Sequence, residues 1–529
     1  MKLIKILTVV LILAGAFSSV FYGINLYDEG VVLMGAEHIS QGALPYKDFW
    51  TLYSPGQFYL AAFAQNVIGD NVFYLRLAFI FISLLIPWLS YKLTSKITDN
   101  KLAFLAFIVP AVMIWIYPLF YRSIASSVVL VLLSAYFLFR LFETREKKYL
   151  IFAGLMMGFT ALFRHDVAGY MYGAEFWAVF FFGFPKGEKS IWKKILKGFW
   201  DGVIFSFGIA LVFLPAAAYF LVNVPLTDLW HQLILFPLGD FGANRGLPFP
   251  FPWDFVGTGA TPGEIARSLY GGTVFYLPFV IFAFTAIFLY LNSKKKSLTS
   301  ADVKFWKIIL LFNIGINFYN HALVRSETEH VLPALFISAI LLVPMTEIIF
   351  WKFNKKFVVV LIACLYMSLP AVLKVRDIMG LTENKAPFRS DTISNVYTFE
   401  NFAEDVNSMI KYIRKETETG EKVFFGCHRH DKVITNGVLL YYMAERMPST
   451  KYYEIHPGVT NTLPIQKEIV SDLEKDSTRF VIREKVFNFE EENMSSRSSE
   501  VYLLDNYIEM KFKKVKNFGN FEVMIRNAK

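Results

Sequence analysis

Long apolar runs dominate this sequence and constrain it more than any other feature. About eleven stretches of roughly 20 apolar residues recur through the first three quarters of the chain. They begin near Leu3, Leu77, Leu102, Ile124, Tyr149, Ala168, Val203, Thr273, Trp306, Val331 and Phe357. Hydrophobic residues make up 55% of the chain and charged residues 18%, against roughly 45–50% and 25% in soluble domains. The sequence therefore predicts a mainly α, polytopic membrane protein, and it excludes a disordered chain or a disulfide-stapled scaffold.

Basic residues occupy every second connection between these runs. The lysine-rich clusters lie at 2–5, 92–101, 145–148, 186–197, 294–296 and 352–356. The other connections carry mostly solitary arginines, namely Arg76, Arg122, Arg164, Arg245 and Arg325. The positive-inside rule then predicts a multi-pass plasma-membrane protein with a cytoplasmic N-terminus and the arginine-bearing loops outside. The first run also fits a secretory signal, although its apolar stretch continues to about Ile24, long enough to span.

The chain divides into two predicted parts. Residues 1–375 form the transmembrane domain, with long outer loops at about 25–76 and 223–272, and residues 376–529 form a small soluble α/β domain outside the membrane. The second loop contains a Pro- and aromatic-rich stretch, Leu247 to Trp253, that cannot be regular helix. In the C-terminal part, helix-like stretches at 401–416, 438–446 and 464–475 alternate with β-rich runs at 423–426 and 479–483, and 513–526 is predicted to form a hairpin.

The clearest motif follows the first apolar run. Asp28 and Glu29 form an acidic pair, a Gly-x-x-Pro-Tyr-x-Asp segment ends at Asp48, and a Ser-Pro-Gly turn occupies 54–56. In this order and position, the motifs resemble those of the GT-C fold membrane glycosyltransferases, specifically the relatives of protein O-mannosyltransferases and of the aminoarabinose transferase that modifies lipid A. The resemblance covers about the first hundred residues by motif and the remaining spans by topology.

The resemblance implies a GT-C-like fold and an inverting glycosyltransferase of the cell envelope. The donor would be a polyprenyl-phosphate sugar, the acceptor a lipid, polysaccharide or protein at the cell surface, and the reaction would occur at the outer face of the bilayer. Asp28 would be the catalytic carboxylate and Glu29 its partner, orienting the acceptor. One departure from the family is that the next outer loop, around Tyr117 and Tyr121, lacks the second acidic residue common in such enzymes.

Elementary chemistry points to the same kinds of residue. Glycosyl transfer to a hydroxyl needs a carboxylate base and a cation beside the departing phosphate. Arginine suits phosphate because its planar fork donates two hydrogen bonds. The predicted phosphate-binding residues are Arg164, Arg325 and His330, and the other predicted site residues are His165, Asp166, Asp48, Tyr46 and Glu327. The alternatives are that the acidic pair is an ordinary helix cap and that the Arg-His-Asp cluster is a structural ion pair.

The sequence gives weaker support for metals and other cofactors. His165 with Asp166, or Glu327 with His330, could hold a divalent cation such as Mg²⁺ or Mn²⁺, but no fixed ligand spacing supports this. The segment Cys427 to Asp431 resembles a metal site yet lacks the second Cys/His pair of a structural zinc, so a strand-end turn is favoured. The only other cysteine in the sequence is Cys364. Nucleotide-binding loops and nucleic-acid motifs are missing from the sequence.

One rival function remains open. A transporter or flippase for a lipid-linked or polar substrate would use Asp28, Arg164 and Arg325 as gating or substrate charges. It predicts charged groups near the middle of the bilayer, whereas these residues fall at the ends of the apolar runs. A non-catalytic glycan receptor, the third possibility, would not explain so many spans.

Overall fold

The chain is described here from a computed structural model, which covers residues 2–184, 189–251, 261–293, 303–349, 362, 384–485 and 490–528. Its N-terminal helices are α1 (Lys2–Ser18), α2 (Asp28–Ser40), α3 (Gly56–Ile68), α4 (Val72–Ser95), α5 (Asn100–Ala103), α6 (Leu105–Ile116), α7 (Ser123–Thr144), α8 (Lys148–Phe163) and α9 (His165–Phe182). There follow α10 (Ile191–Asn223), α11 (Leu226–Trp230), a π-helix (His231–Asp240), α12 (Phe241–Arg245), α13 (Pro262–Ser293), α14 (Val303–Ala322) and α15 (Thr328–Ile349).

Five of these helices are long and apolar enough to cross a membrane: α4, α7, α10, the part of α13 from Gly271, and α15. Three shorter apolar helices, at Ile6–Phe21, Asn100–Ile116 and Lys148–Phe163, accompany them. The prediction of a mainly helical, multi-pass membrane protein is thus confirmed, while the count of eleven spans stays a prediction. Of the run predicted from Phe357, the structure describes residue 362 and no other.

Burial separates the centre of the bundle from its periphery. The apolar window of α15 is 83% buried, whereas that of α10 is 11% buried. Apolar side chains exposed along α10 include Trp200, Phe207 and Leu214, so this helix presents its surface to lipid. Its other face packs closely on α8, where a Cβ added to Gly154 would lie 2.1 Å from the carbonyl oxygen of Phe205. Small residues permit this approach of two backbones.

The two long outer segments carry helices of their own. The first contains α2 and α3, which pack on each other, and the second contains α11, the π-helix and α12. The described part of the Pro-rich stretch, 247–251, is non-helical, and Leu247 bridges to Arg325. Its remaining residues, including Trp253, lie outside the described ranges. The two outer segments thus form a layer of short helices at one end of the bundle.

A small sheet region follows. It comprises β1 (Lys385–Pro387), β2 (Tyr397–Phe399), α16 (Glu400–Glu416), β3 (Phe424–Cys427), α17 (Leu439–Ala444), α18 (Leu463–Lys475), β4 (Phe480–Glu484), a 3₁₀ turn (Met494–Ser496), α19 (Leu503–Lys511), β5 (Phe512–Phe518) and β6 (Phe521–Arg526). Its main sheet has the order β3-β4-β6-β5, with β3 and β4 parallel and the other pairs antiparallel. The predicted closing hairpin is the β5–β6 pair, which turns at Gly519 with φ of 52°.

This sheet region is joined to the outer segments through α17. Every residue of α17 is buried, and the helix packs directly on α2. At Gly30 in α2, an added Cβ would lie 2.1 Å from the backbone nitrogen of Leu439, so the two backbones are in close contact. The N-terminal turn of α2, which carries the acidic pair, is therefore fixed between the bundle and the sheet region.

Candidate active site

Asp28 begins α2 and is held there by a local turn. The Asn25 side-chain oxygen accepts hydrogen bonds from the backbone N–H groups of Tyr27 (3.1 Å) and Asp28 (2.8 Å), which is a common way to start a helix. The Asn25 amide in turn donates to Asp28 Oδ2 at 2.6 Å. The Asp28 side chain remains 31% exposed. Its carboxylate is thus rigidly placed yet still accessible.

Arg122 connects Asp28 to a second carboxylate. This arginine precedes α7, and it donates to Asp28 Oδ2 at 2.7 Å and to Glu329 on α15. Both hydrogen bonds to the Asp28 side chain end on Oδ2, so Oδ1 is the oxygen without a donor among the described residues. The loop before α7 lacks an acidic residue, as its sequence indicated, and the second acid of the site comes from α15 instead. Sequence reasoning did not include Arg122 among the site residues.

Glu29 has a different environment from its neighbour. Its two oxygens accept from Arg76 at 2.6 and 3.0 Å, and the Arg76 side chain is 1% exposed. Arg76 also donates to the backbone carbonyls of Val20 and Gly23 and stacks on the Phe120 ring. Every nitrogen of this guanidinium therefore has a partner. The geometry is that of a buried ion pair joining α2 to α4 and to the end of the first apolar helix.

The Arg164 cluster lies where α8 ends and α9 begins. Arg164 donates to both oxygens of Asp166, at 2.8 and 2.5 Å, and His321 Nε2 lies 2.9 Å from Asp166 Oδ2. His321 lies in the last turn of α14, so this contact joins two helices that are far apart in sequence. Asp166 therefore has two basic partners. Arg164 and His321 also line the cavity described below.

His165 faces away from Asp166 and plays another part. Its Nδ1 lies 2.8 Å from Ser54 Oγ, and its Nε2 lies 2.9 Å from the carbonyl oxygen of Leu233. Because a carbonyl only accepts, Nε2 carries the proton and Nδ1 accepts from the serine hydroxyl. Both ring nitrogens are occupied, so the ring connects the Ser-Pro-Gly turn to the π-helix. His165 and Asp166 accordingly do not converge on a common metal position.

Arg325 and Arg245 share one carboxylate of the sheet region. Arg325 donates to the two oxygens of Glu491 at 2.9 and 2.8 Å, and Arg245 lies 3.2 Å from Glu491 Oε2. Arg325 also lies 3.1 Å from Glu327, whose other oxygen is 2.8 Å from His330 Nδ1. Burial alone would raise the pKa of Glu327, but the contacts with His330 and Arg325 outweigh it and lower the pKa to about 2. Of these five residues, Glu491 was not predicted from the sequence, and Arg245 was recognised there only as a solitary arginine of an outer loop.

A cavity of about 540 Å³ unites these groups. Four arginines line it, and they come from separate segments of the chain: Arg122, Arg164, Arg245 and Arg325. Asp28, Glu327, Glu329 and Glu491 supply carboxylates to the same walls. Five of the ten predicted site residues line the cavity, namely Asp28, Arg164, Arg325, Glu327 and His330. Asp166 contacts two further lining positions, Arg164 and His321.

Tyr46 and Asp48 lie away from this cavity lining. The Asp48 carboxylate accepts from the backbone N–H of Leu44 at 2.7 Å, which closes a turn. Tyr46 takes a φ of 73°, is 3% exposed and donates its hydroxyl to the carbonyl of Tyr53 at 2.9 Å. The Pro-Tyr-x-Asp segment is therefore built as a structural turn that positions Tyr53, and Tyr53 does line the cavity.

The sheet region contributes a second buried carboxyl near Asp28. Tyr27, which precedes Asp28, donates its hydroxyl to Glu454, a residue with no exposed surface. Burial raises the pKa of Glu454 to about 8, with the charge of Asp28 acting in the same direction. His456, two residues further on, lines the cavity, and burial lowers its pKa to about 3. No sequence motif marked either residue, because both depend on how the sheet region packs against α2.

A second cavity, of about 580 Å³, lies toward the other end of α2 near Gln41 and Asp70. Its arginine, Arg446, donates to the carbonyls of Thr417 and Glu445 and is 7% exposed. Asp70, Asp391 and Glu445 make its polar wall acidic. It therefore lacks the arginine array that distinguishes the first cavity.

Metal ligation has little support in the part of the chain that the structure describes. No group of three or more His, Cys, Asp or Glu side chains there could hold a metal ion. In the tail, His430 contacts Asp505 at 2.7 Å and accepts from the backbone N–H of Cys427, while Arg429 pairs with Asp431. This is the strand-end turn that the sequence favoured. Cys427 is a buried free thiol, and Cys364 lies outside the described residues.

Comparisons with known proteins agree with this architecture. Residues 53–219 match the sequence model of a family described as dolichyl-phosphate-mannose-protein mannosyltransferase. No curated protein matches the chain significantly. Solved structures match over nearly the whole chain, although their sequences are only 11–13% identical to it.

The fold is that of the GT-C membrane glycosyltransferases, as the motif resemblance predicted. Within that class, the chain is similar to ArnT from Cupriavidus metallidurans in the apo state, with 11% identity, a TM-score of 0.56, and 98% of this chain and 97% of that chain covered. The same protein bound to undecaprenyl phosphate gives 12% identity, a TM-score of 0.53 and coverage of 99% and 98%. The apo oligosaccharyltransferase of Archaeoglobus fulgidus gives 12% identity, a TM-score of 0.51 and coverage of 90% and 69%.

Proposed function

We propose that this protein is a membrane glycosyltransferase that moves a sugar from a polyprenyl-phosphate carrier to a hydroxyl of a cell-surface acceptor. The observation that carries the proposal is the cavity in which an accessible, firmly oriented Asp28 faces four arginines. A base and an array of phosphate-binding cations are the two requirements of this chemistry. The description of the matched family names dolichyl-phosphate-mannose, and one similar structure is bound to undecaprenyl phosphate.

In the proposed reaction, Asp28 acts as the general base. The acceptor oxygen forms a bond to the anomeric carbon of the sugar while the bond from that carbon to the phosphate oxygen breaks. The acceptor proton passes to Asp28 Oδ1, and the polyprenyl phosphate departs with the bonding electrons. Asn25 and Arg122 hold Asp28 Oδ2 at 2.6 and 2.7 Å, which orients the other oxygen. Attack opposite the leaving group inverts the anomeric configuration.

The proposal gives Glu29 a positioning role rather than contact with the acceptor. Its carboxylate is bonded on both oxygens to Arg76, and its side chain is 10% exposed. Glu29 thereby fixes the first turn of α2, where Asp28 resides. The phosphate of the donor is assigned to the arginines that line the cavity, two of which, Arg164 and Arg325, the sequence suggested.

Several further features belong to the proposal. The cavity end of the bundle faces the outside of the cell, the N-terminus is cytoplasmic, and residues 376–529 form an extracytoplasmic domain that completes the cavity. Two observations support this role for the domain. The cavity lining includes its residues His456 and Glu491, and its Glu454 accepts a hydrogen bond from the lining residue Tyr27. A divalent cation is not assigned, since Asp28 and Glu329 both converge on Arg122.

The test is transfer of radiolabel from a panel of short-chain polyprenyl-phosphate sugars to membrane extracts by the purified protein. Label that appears in an extract component identifies both donor and acceptor class. A folded protein that transfers label from no donor in the panel, yet carries a polyprenyl phosphate across vesicles, would favour the transporter instead.

A further inference from the structure

We propose that Glu491 occupies the position of the donor's phosphate between Arg245 and Arg325, and that the lipid-linked donor binds by displacing this carboxylate. The inference rests on the proposed function and adds to it the residues of the phosphate site and the way in which that site opens. Glu491 belongs to the sheet region, whereas Arg245 ends α12 and Arg325 precedes α15. The two arginines thus meet on a carboxylate that another part of the chain supplies.

The contacts around Glu491 are those of an anion site. Its oxygens accept two parallel hydrogen bonds from Arg325, at 2.9 and 2.8 Å, and a contact from Arg245 at 3.2 Å. Its side chain is only 4% exposed. Burial alone would raise the pKa of Glu491, but the hydrogen bond from Arg325 and the charge of Arg245 outweigh it and lower the pKa. The carboxylate is therefore an anion held in a fork geometry that phosphate oxygens also satisfy.

The charges permit an even exchange. Arg245 and Arg325 carry two positive charges, which Glu491 and Glu327 balance. A polyprenyl-phosphate sugar is a phosphodiester with one negative charge, so it replaces Glu491 charge for charge. Polyprenyl phosphate, the product, is a monoester whose second pKa is about 6, so it gains further negative charge at neutral pH. The site therefore has to accommodate more charge once the sugar has left.

Glu491 is the carboxylate of the cavity most readily exchanged. Asp28, Glu327 and Glu329 belong to the membrane-domain segments that form the cavity walls themselves. Glu491 is instead held by short-range contacts next to the 3₁₀ turn Met494–Ser496: its backbone N–H donates to Ser496, and Asn493 donates to one of its oxygens. Asn493 also donates to the carbonyl of Gly246 at 3.0 Å, which ties the segment to the end of α12. Withdrawal of this segment frees the guanidinium N–H groups that now bind Glu491, while Arg325 keeps its contact with Glu327.

The first experiment measures the affinity of the full-length purified protein for a short-chain polyprenyl monophosphate. Glu491→Gln removes the competing charge and keeps the size of the side chain, so we expect binding at least about tenfold tighter than in the wild type. Glu490→Gln is the matched control, because Glu490 is 72% exposed and contacts Lys432 rather than the arginines. It should leave the affinity unchanged. Equal or weaker binding by folded Glu491→Gln would overturn the inference.

The second experiment uses only the wild type, so it stands even where Glu491→Gln fails to fold. Hydrogen exchange of the backbone amides at 490–500 is compared with and without the same polyprenyl monophosphate. Displacement predicts faster exchange there on binding, opposite to the protection that bound ligands usually cause. Slower or unchanged exchange in a saturated protein would contradict the inference and leave the proposed function standing. Failure of the wild type and the variant to bind the lipid at all would refute the proposed function as well.

Discussion

Converting a carboxylate to an amide at the adjacent positions 28 and 29 should have opposite effects on stability and on activity. Glu29→Gln leaves the Arg76 guanidinium, 1% exposed, without its counter-charge and weakens two hydrogen bonds of 2.6 and 3.0 Å. Removing one partner of a buried ion pair costs about 3–5 kcal/mol. Asp28→Asn alters a side chain that is 31% exposed, so the cost in stability is about 1 kcal/mol or less.

The assay is the half-life of the folded protein in detergent at elevated temperature, because large membrane proteins usually unfold irreversibly. A loss of about 3 kcal/mol that is expressed in the unfolding rate shortens the half-life about a hundredfold. We expect this for Glu29→Gln, with transfer per folded molecule at low temperature within a few fold of wild type. Arg76→Gln combined with Glu29→Gln should restore part of the lost half-life, since no buried charge is left unpaired. A Glu29→Gln protein that is as long-lived as wild type but inactive would refute the structural role of Glu29.

Two further predictions concern the partners of Asp28. Arg122→Lys keeps the positive charge, but a lysine cannot reach both Asp28 and Glu329, so turnover at saturating donor should fall about 10- to 100-fold. Arg414→Lys, outside the cavity lining, serves as the control. Unchanged turnover in Arg122→Lys would contradict this prediction. Burial raises the pKa of Glu454 to about 8 from its ordinary 4.5, so the native state binds a proton that the unfolded state releases. The stability of the folded state should therefore fall by about 1.4 kcal/mol per pH unit between these values as the pH rises, which shortens its half-life. Glu454→Gln should remove this pH dependence of the half-life, and an unaltered dependence would contradict the prediction.

The helical membrane architecture was predictable because apolar runs of span length have few other structures open to them. The number of spans was harder to predict. The run read from Val203 is part of the 33-residue helix α10, which starts at Ile191, and the run read from Leu102 divides at Phe104 into α5 and α6. Length and hydropathy alone do not decide where such helices enter the bilayer.

Asp28 was predicted from the local motif around it, whereas the arginine that contacts its side chain was not. Arg122 is 94 positions from Asp28, and Glu491 is 166 positions from Arg325. Arginines at the ends of apolar runs were visible as charges, but which carboxylate each one meets depends on packing between distant segments. The sequence offered one signal that could have extended the predicted site. Arg122 is a solitary arginine in the next outer connection after the acidic pair, which makes it a candidate partner for Asp28.

The role of Asp28 is decided by comparing wild type with Asp28→Asn, using one labelled polyprenyl-phosphate sugar and following donor binding and sugar transfer separately. As a general base, Asp28 should contribute about 10²- to 10⁴-fold to the transfer rate. We expect a loss of that size in Asp28→Asn, with donor affinity and membrane insertion retained. Transfer by Asp28→Asn at the wild-type rate would contradict it and remove Asp28 from the chemistry.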